Sequence, residues 1–450
     1  SGPQIFGWCM YDWANSAYVT TVVAGVLPIY FATVIVGNGG VQIGNTVVSA
    51  DALWGYLVSA SAMFVFLFAP VLGAISDFSS SKKKFLITLA YMGSISATLL
   101  YFSQSGDVWR TATLFLIAQI GYVGANVFYD AFLPQIAPED KIDWVSSKGY
   151  SYGYIGGGLQ FAITLGLVAG GEIIGVGQGL AARIGLGMAG LWWAGFTIFT
   201  LKNLKEAGAI EAMPEKYQSQ PKIIAYAAIG ITRTLATIRK VRRFKHLLLF
   251  LIAFMIYNDG VQTVISMATI YGTEELKFSA TVLMITLLMI QIIAAGGALL
   301  FGRIASKIGA KRSLMLTLLL WSGVVTYAYF LHTVTEFFIL GVVVGIVLGG
   351  SQALSRSFYG AMIPKEASAE FYGFYSVFSK FSAIWGPLVF AIIRQVTGTP
   401  RLAIISLMVF FMMKRKPRKP NAPGRSRNLL DLLLFFLTWL LVSYELQLSL

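Results

Sequence analysis

The stretch Gly73-Ala-Ile-Ser-Asp77-Phe-Ser-Ser-Ser-Lys82-Lys83-Lys84 is short, polar and basic, and it lies between two apolar runs each long enough to cross a bilayer. A weaker copy, Gly302-Arg303-Ile-Ala-Ser306-Lys307-Ile-Gly309-Ala-Lys311-Arg312, sits between two more apolar runs in the second half. One loop and its echo divide the chain into two similar halves, an organisation that points to a membrane transporter.

The composition agrees. The 450 residues are 56% apolar and 12% charged, against roughly 25% charged in soluble domains. A helix needs about 20 mostly apolar residues to cross roughly 30 Å of hydrocarbon. Because the apolar runs are continuous rather than alternating, helices are expected instead of a barrel.

The net charge of +14 could suggest nucleic acid, but the basic residues fall between apolar spans and no DNA- or RNA-binding signature accompanies them. Positive charge holding loops at the cytoplasmic face explains them better. With Cys9 alone and two distant histidines, His246 and His332, neither a disulfide nor a metal site is available, and no cofactor is expected. The start Ser1-Gly2-Pro3 is read as trimmed or processed rather than as a signal peptide.

The apolar pattern predicts twelve spans, near residues 5–32, 52–75, 85–102, 111–133, 150–170, 184–201, 246–271, 280–301, 314–331, 337–359, 371–393 and 402–413. The expected fold is an all-α membrane protein whose last helix is irregular. Its divisions are a first bundle at 1–201, a basic linker at 202–245 with an amphipathic helix, a second bundle at 246–413 and an anomalous tail at 414–450. Pro134 is expected to end the fourth span, and residues 134–148 to form a charged loop.

In the linker, Ile224, Ala228, Ile231, Leu235, Ile238 and Val241 share one face, as expected of a helix lying along the inner membrane surface. Alternation from the loop at Gly73 then places twenty Lys or Arg inside, with Arg110, Arg183, Lys277, Arg394 and Arg401 outside. That asymmetry puts the N-terminus in the cytoplasm. In the tail, the basic run 414–427 interrupts the twelfth span, and it is read as a shifted reading frame or an assembly artefact rather than as a regulatory segment.

The loop at Gly73 resembles the Gly-x-x-x-Asp-x-x-x-x-Arg/Lys-x-Arg/Lys loop of the major facilitator superfamily. Tyr11-Asp12-Trp13-Ala14-Asn15-Ser16, Asn258-Asp259-Gly260, the stretch from Gly349 to Ser357 and the stretch from Lys380 to Pro387 are similar to the vacuole effluxer branch related to autophagy. Over residues 5–412 this resemblance implies two pseudo-symmetric six-helix bundles, each of inverted three-helix repeats, rocking about a central site. It also implies efflux of neutral amino acids, the activity of fungal members; many bacterial relatives have no settled substrate. The compact loops and basic linker suit a bacterial inner membrane.

In transporters of this kind the first, fourth, seventh and tenth spans line the cavity. Asp12, Asn15, Asn126, Asp130, Asn258, Asp259, Gln262, Gln352 and Arg356 all fall there. A zwitterion needs a cationic and an anionic contact, which Arg356 with Asp259 or Asp12 could supply. Asp130 lies nearer the inner edge. Lys380 must find a carboxylate or deprotonate, so pairing with a cavity aspartate could couple transport to protons; a static ion pair is the plainer reading.

Gly73, Asp77, Lys82, Lys83 and Lys84, with Gly302, Lys311 and Arg312 in the echo, are expected to form a gate latch. Glycine permits close helix approach, and Asp77 should cap the next helix and pair with a cation across the bundle interface. At the Asp77 position the echo carries Ser306. Aromatic residues such as Trp192, Trp193 and Trp385 are expected to pack rather than to bind a ligand.

The function expected is secondary transport of a small polar metabolite, an amino acid with protons as candidate coupling ion, by a monomer in the bilayer. With no phosphate loop, ATP-driven transport by this chain is not expected. A translocator of lipid or another solute on the same fold is the alternative. An intramembrane enzyme would need clustered aspartates, and here the buried acids are scattered singly.

Overall fold

The computed structural model describes residues 2–37, 40–48, 50–206, 214–241, 245–270, 272, 276–382, 389, 393 and 400–411. The chain separates into two units, Ser1–Met412 and Met413–Leu450, and all the described residues belong to the first. The tail at 414–450, Trp385, Pro387 and the side chain of Lys380 lie outside the described residues.

Helix α1 begins at Gly2–Ala17 and widens to a π-helix over Tyr18–Val26 and again over Phe31–Val36. The next five are α2 (Ala50–Ser79), α3 (Lys82–Leu99), α4 (Val108–Ile136), α5 (Ile142–Gly170) and α6 (Gln178–Asn203). The linker forms α7 (Lys222–Val241). The second half contributes α8 (Lys245–Ile270), α9 (Ala280–Ile308), α10 (Ala310–Tyr329), α11 (Val334–Gly360), α12 (Ser368–Phe381) and α13 (Pro400–Ser406), the last tightening to a 3₁₀ turn over Leu407–Phe410. Among the described residues, eight helices are long and apolar enough to cross a membrane. Among the described residues, six of these helices precede the linker and six follow it, in the order expected of the spans.

Local signals set the helix ends. Thr333 and Glu336 form a reciprocal capping box at the start of α11 (Glu336 N–H to Thr333 Oγ1 3.2 Å; Thr333 N–H to Glu336 Oε2 3.0 Å). The turn between α9 and α10 is a single residue, Gly309, with φ +87°, a conformation that costs glycine little. The echo is therefore mostly helix rather than loop. Likewise Ser80 and Ser81 alone separate α2 from α3, so Lys82, Lys83 and Lys84, and in the echo Lys311 and Arg312, begin the following helix.

Two expectations change, and one connection gains structure. Helix α4 runs past Pro134 to Ile136: the proline removes one bond of the ladder, and the helix continues for only two residues beyond it. Helix α5 starts at Ile142 rather than 150, so Asp143, Ser146 and Ser147 are helical and packed, not loop residues. The stretch 37–51 holds a small hairpin of β1 (Val41–Ile43) and β2 (Thr46–Val48) turning at Gly44, where φ is +58°.

The halves meet mainly along α2 with α12 and α5 with α9, and further along α5 with α11 and α4 with α12. A Cβ on Gly73 would stand 2.5 Å from the Ala369 carbonyl oxygen. Backbones approach that closely only where glycine removes the side chain. On α7, Ile224, Ile231 and Leu235 are exposed while Arg233 stacks 5.0 Å over Phe78 of α2.

Candidate functional site

Arg356, near the C-terminal end of α11, is the centre of a buried polar cluster. Its Nη1 lies 3.4 Å from Asp12 Oδ2 on α1 and 3.3 Å from Asp130 Oδ1 on α4. Nε donates to Ser146 Oγ (3.0 Å) and Nη2 to the Ser146 carbonyl (2.8 Å) on α5. The guanidinium also stands 4.0 Å over the Tyr150 ring and 4.8 Å over Trp8. One residue of the second half is thus held by three helices of the first.

The surroundings fix these partners. Trp8 stacks on Tyr129 at 4.5 Å and donates its indole N–H to the Tyr129 carbonyl (2.7 Å), while Tyr129 OH donates to Asp12 (3.0 Å). Only glycine fits at position 149, where a Cβ would sit 2.6 Å from Trp8 and 3.0 Å from Arg356 Nη2. A buried charge is tolerated when it is paired and hydrogen-bonded. Every nitrogen of Arg356 meets this condition.

One turn away, a cavity of about 200 Å³ opens between the halves. From the first half it is lined by Tyr122, Asn126, Asp130 and Tyr150, and from the second by Tyr257, Asn258, Gln262, Gln352 and Tyr375, with several serines. The space is large enough to admit a small polar solute. Tyr154 OH donates to Gln352 (2.5 Å) across the halves.

At the end carrying the short basic turns, further contacts draw the halves together. Ser357 donates to Asp143 (2.5 Å), Gln135 donates to the Lys365 carbonyl (3.3 Å) and Lys365 pairs with Glu139 (3.1 Å). Asp77 accepts from the backbone N–H of Ala369 (3.4 Å) and Glu370 (2.9 Å), the first turn of α12, while Lys82 Nζ pairs with it at 2.7 Å. This reverses the expected roles: the cap is placed on a helix of the other half, and the cation comes from Asp77's own turn. An α-helix N-terminus presents unsatisfied N–H groups to whatever carboxylate is nearest. Gly302 repeats the close approach against Ser147 of α5, where a Cβ would lie 2.5 Å from Ser147 Oγ.

A family model described as "Vacuole effluxer Atg22 like" matches residues 2–414. The chain belongs to this family. YxiO of Bacillus subtilis, described as an uncharacterized MFS-type transporter, is 34% identical over 90% of this chain and 92% of its own length. Autophagy-related protein 22-1 of Emericella nidulans is 24% identical over 90% and 88%. Among solved structures, the human organic anion transporter MFSD10 superposes with TM-score 0.67 at 16% identity, covering 92% of this chain and 97% of its own. The proton:xylose symporter XylE gives 0.64 at 15% identity, covering 92% and 94%. These two show the major facilitator fold. The Atg22-like chain is therefore an integral, multi-pass membrane transporter rather than an enzyme.

Within this Atg22-like transporter the residues singled out from the sequence divide into three groups. Asn126, Asp130, Asn258, Gln262 and Gln352 line the cavity. Asp12 and Arg356 form the cluster beside it, and Asn15 donates to Asn126 (2.7 Å) behind the wall. Asp259 is buried but outside the lining, whereas Asp12, the other acid expected to share a zwitterion with Arg356, lies directly against Arg356, as does Asp130. Lys82 is buried with Asp77, whereas Lys84, Lys311 and Arg312 are exposed and Lys83 is intermediate.

The tyrosines of the wall and Ser146 were missed. Tyr150 and Tyr154 stand four residues apart on one helix face, and Tyr257 directly precedes Asn258. Those spacings were the available signal.

Proposed function

We propose that the Atg22-like chain moves a small polar metabolite, an amino acid, out across the membrane by alternating access, with protons as the coupling ion. The observation that carries this is the cavity walled by both halves, with the Arg356 cluster and the Asp77 cap beyond it at one end. Separating the halves at that end would expose the cavity there. The residue types match the task, since carboxylates, amides and hydroxyls offer charged and neutral hydrogen bonds to a polar solute. Asp12 and Asp130, sharing one guanidinium, are the carboxylates whose protonation would release it.

In this function residues 1–201 and 246–413 act as the moving bundles, joined by 202–245. Gly73, Asp77, Lys82, Lys83, Lys84, Gly302, Lys311 and Arg312 work as the latch. The basic turns face the cytoplasm of a bacterial inner membrane, as does the N-terminus, and the unit is a monomer. The amide- and tyrosine-rich wall also favours a second reading, a neutral polyhydroxylated solute.

Thermal stabilisation of the purified protein across the twenty amino acids, dipeptides and sugars separates the two, because a ligand bound to the native state raises Tm. A shift with one amino-acid class supports amino-acid transport. A shift with sugars alone overturns it.

A further inference from the structure

We propose that Asp130 is the residue through which the bound solute loosens the closed end, and that the group it takes from the solute is a protonated primary amine, a proposal that rests on the transport function above. Among the described residues, Asp130 both lines the cavity and touches the buried cluster, with Oδ1 3.3 Å from Arg356 Nη1. Its side chain is 19% exposed, against 3% for Arg356. Asp12, the other carboxylate on the guanidinium, is outside the lining and accepts a second hydrogen bond from Tyr129.

Charge balance gives the sign of the ligand. The described cluster sets two carboxylates, Asp12 and Asp130, against one guanidinium. Two carboxylates facing one guanidinium leave one of them to be satisfied by a proton or by an added cation, and the cavity gives access to this one from the Asp130 side. An ammonium group entering there adds the missing positive charge. A solute carboxylate at the same place meets like charge. The wall beside Asp130 also carries the aromatic ring of Tyr122, a group that favours a cation over an anion.

Taking Asp130 for the ligand would not leave Arg356 without support. Ser146 holds it through two hydrogen bonds and Asp12 keeps its charge paired. What is lost is the tie from α11 to α4, one of the bonds that keeps the two halves together. The amine therefore exchanges partners with Arg356, and filling the cavity weakens the closure beyond it.

The test uses the full chain in lipid nanodiscs with four probes: leucine, its decarboxylated analogue 3-methylbutylamine, its deaminated analogue 4-methylpentanoate, and xylose. Leucine and the amine are expected to bind within about tenfold of each other, and the acid at least about tenfold more weakly. Asp130→Asn should weaken the amine by at least about tenfold while circular dichroism and size exclusion show an intact fold, and Asp130→Glu should restore part of the loss. Gly166→Ala, where an added Cβ meets nothing within 4 Å, should leave amine binding in place. Labelling of Ser357→Cys by a hydrophilic maleimide should speed up with the amine and not with the acid.

Equal binding of acid and leucine with none by the amine, or amine binding untouched in folded Asp130→Asn, overturns the role of Asp130. If an amino acid is nevertheless transported, the proposed function survives that failure. If the amine binds through Asp130 and no amino acid is moved, the site stands and the proposed function falls. Binding by xylose alone overturns both.

Discussion

The backbone N–H of Glu370 donates to Asp77 Oδ2 at 2.9 Å, joining the end of a helix in the first half to the start of a helix in the second. The same carboxylate holds Lys82 at 2.7 Å, so one side chain ties its own turn and the opposite bundle together. Capping bonds of this kind contribute about 0.5–2 kcal/mol. Asp77→Ala is expected to raise the rate at which Ser357→Cys reacts with a hydrophilic maleimide, with Asp77→Asn in between because the amide still accepts from N–H. Equal rates in all three proteins would show that the contact does not hold this end shut.

Removing Arg356 leaves two buried carboxylates without their guanidinium. Loss of one partner from a buried pair costs about 3–5 kcal/mol. Arg356→Gln should lower Tm by several degrees, and Asp12→Asn in the same chain should recover part of the loss. Additive effects in the double-mutant cycle would mean that Arg356 and Asp12 do not interact.

Gly149 tests packing without a change of charge. A Cβ there meets Trp8 at 2.6 Å and Arg356 Nη2 at 3.0 Å, and crowding of this sort typically costs about 1–3 kcal/mol. Transport by Gly149→Ala should fall while that of Gly166→Ala, where a Cβ meets nothing within 4 Å, stays near wild type. Similar activity in both would remove Gly149 from the cluster.

Glu206, just past α6, accepts the backbone N–H of Lys83 at 2.8 Å and so caps α3 from the start of the linker. Ser81, at the N-cap position, makes no side-chain capping bond. Glu206→Ala should therefore destabilise the protein by about 1 kcal/mol, read as a lower Tm. An unchanged Tm would mean that water replaces the cap at no cost.

The twelve spans were legible because continuous apolar runs and basic turns are strong local signals. Asp77 was recognisable as a capping acid, but the helix it caps lies almost three hundred residues away, and nothing local to the turn names it. The cavity stripe was partly readable: Phe254, Tyr257, Asn258, Val261 and Gln262 follow one helix face, and Asp259 falls off it. An acid next to an amide in sequence points to a different side of the helix. Asp130 was expected near the inner edge of a span ending at Pro134; α4 runs on to Ile136 and Asp130 lines the cavity. The tie of Arg356 to Ser146 was hidden by treating a polar segment as loop when it is the first turns of α5.

Counterflow of labelled amino acids into proteoliposomes preloaded with the same unlabelled amino acid tests the central claim most directly. Exchange of at least one amino acid by the wild-type chain, abolished in Arg356→Gln and in Asp130→Asn, is the expected result. No exchange of any of the twenty, by a protein shown to be folded and reconstituted, would contradict it.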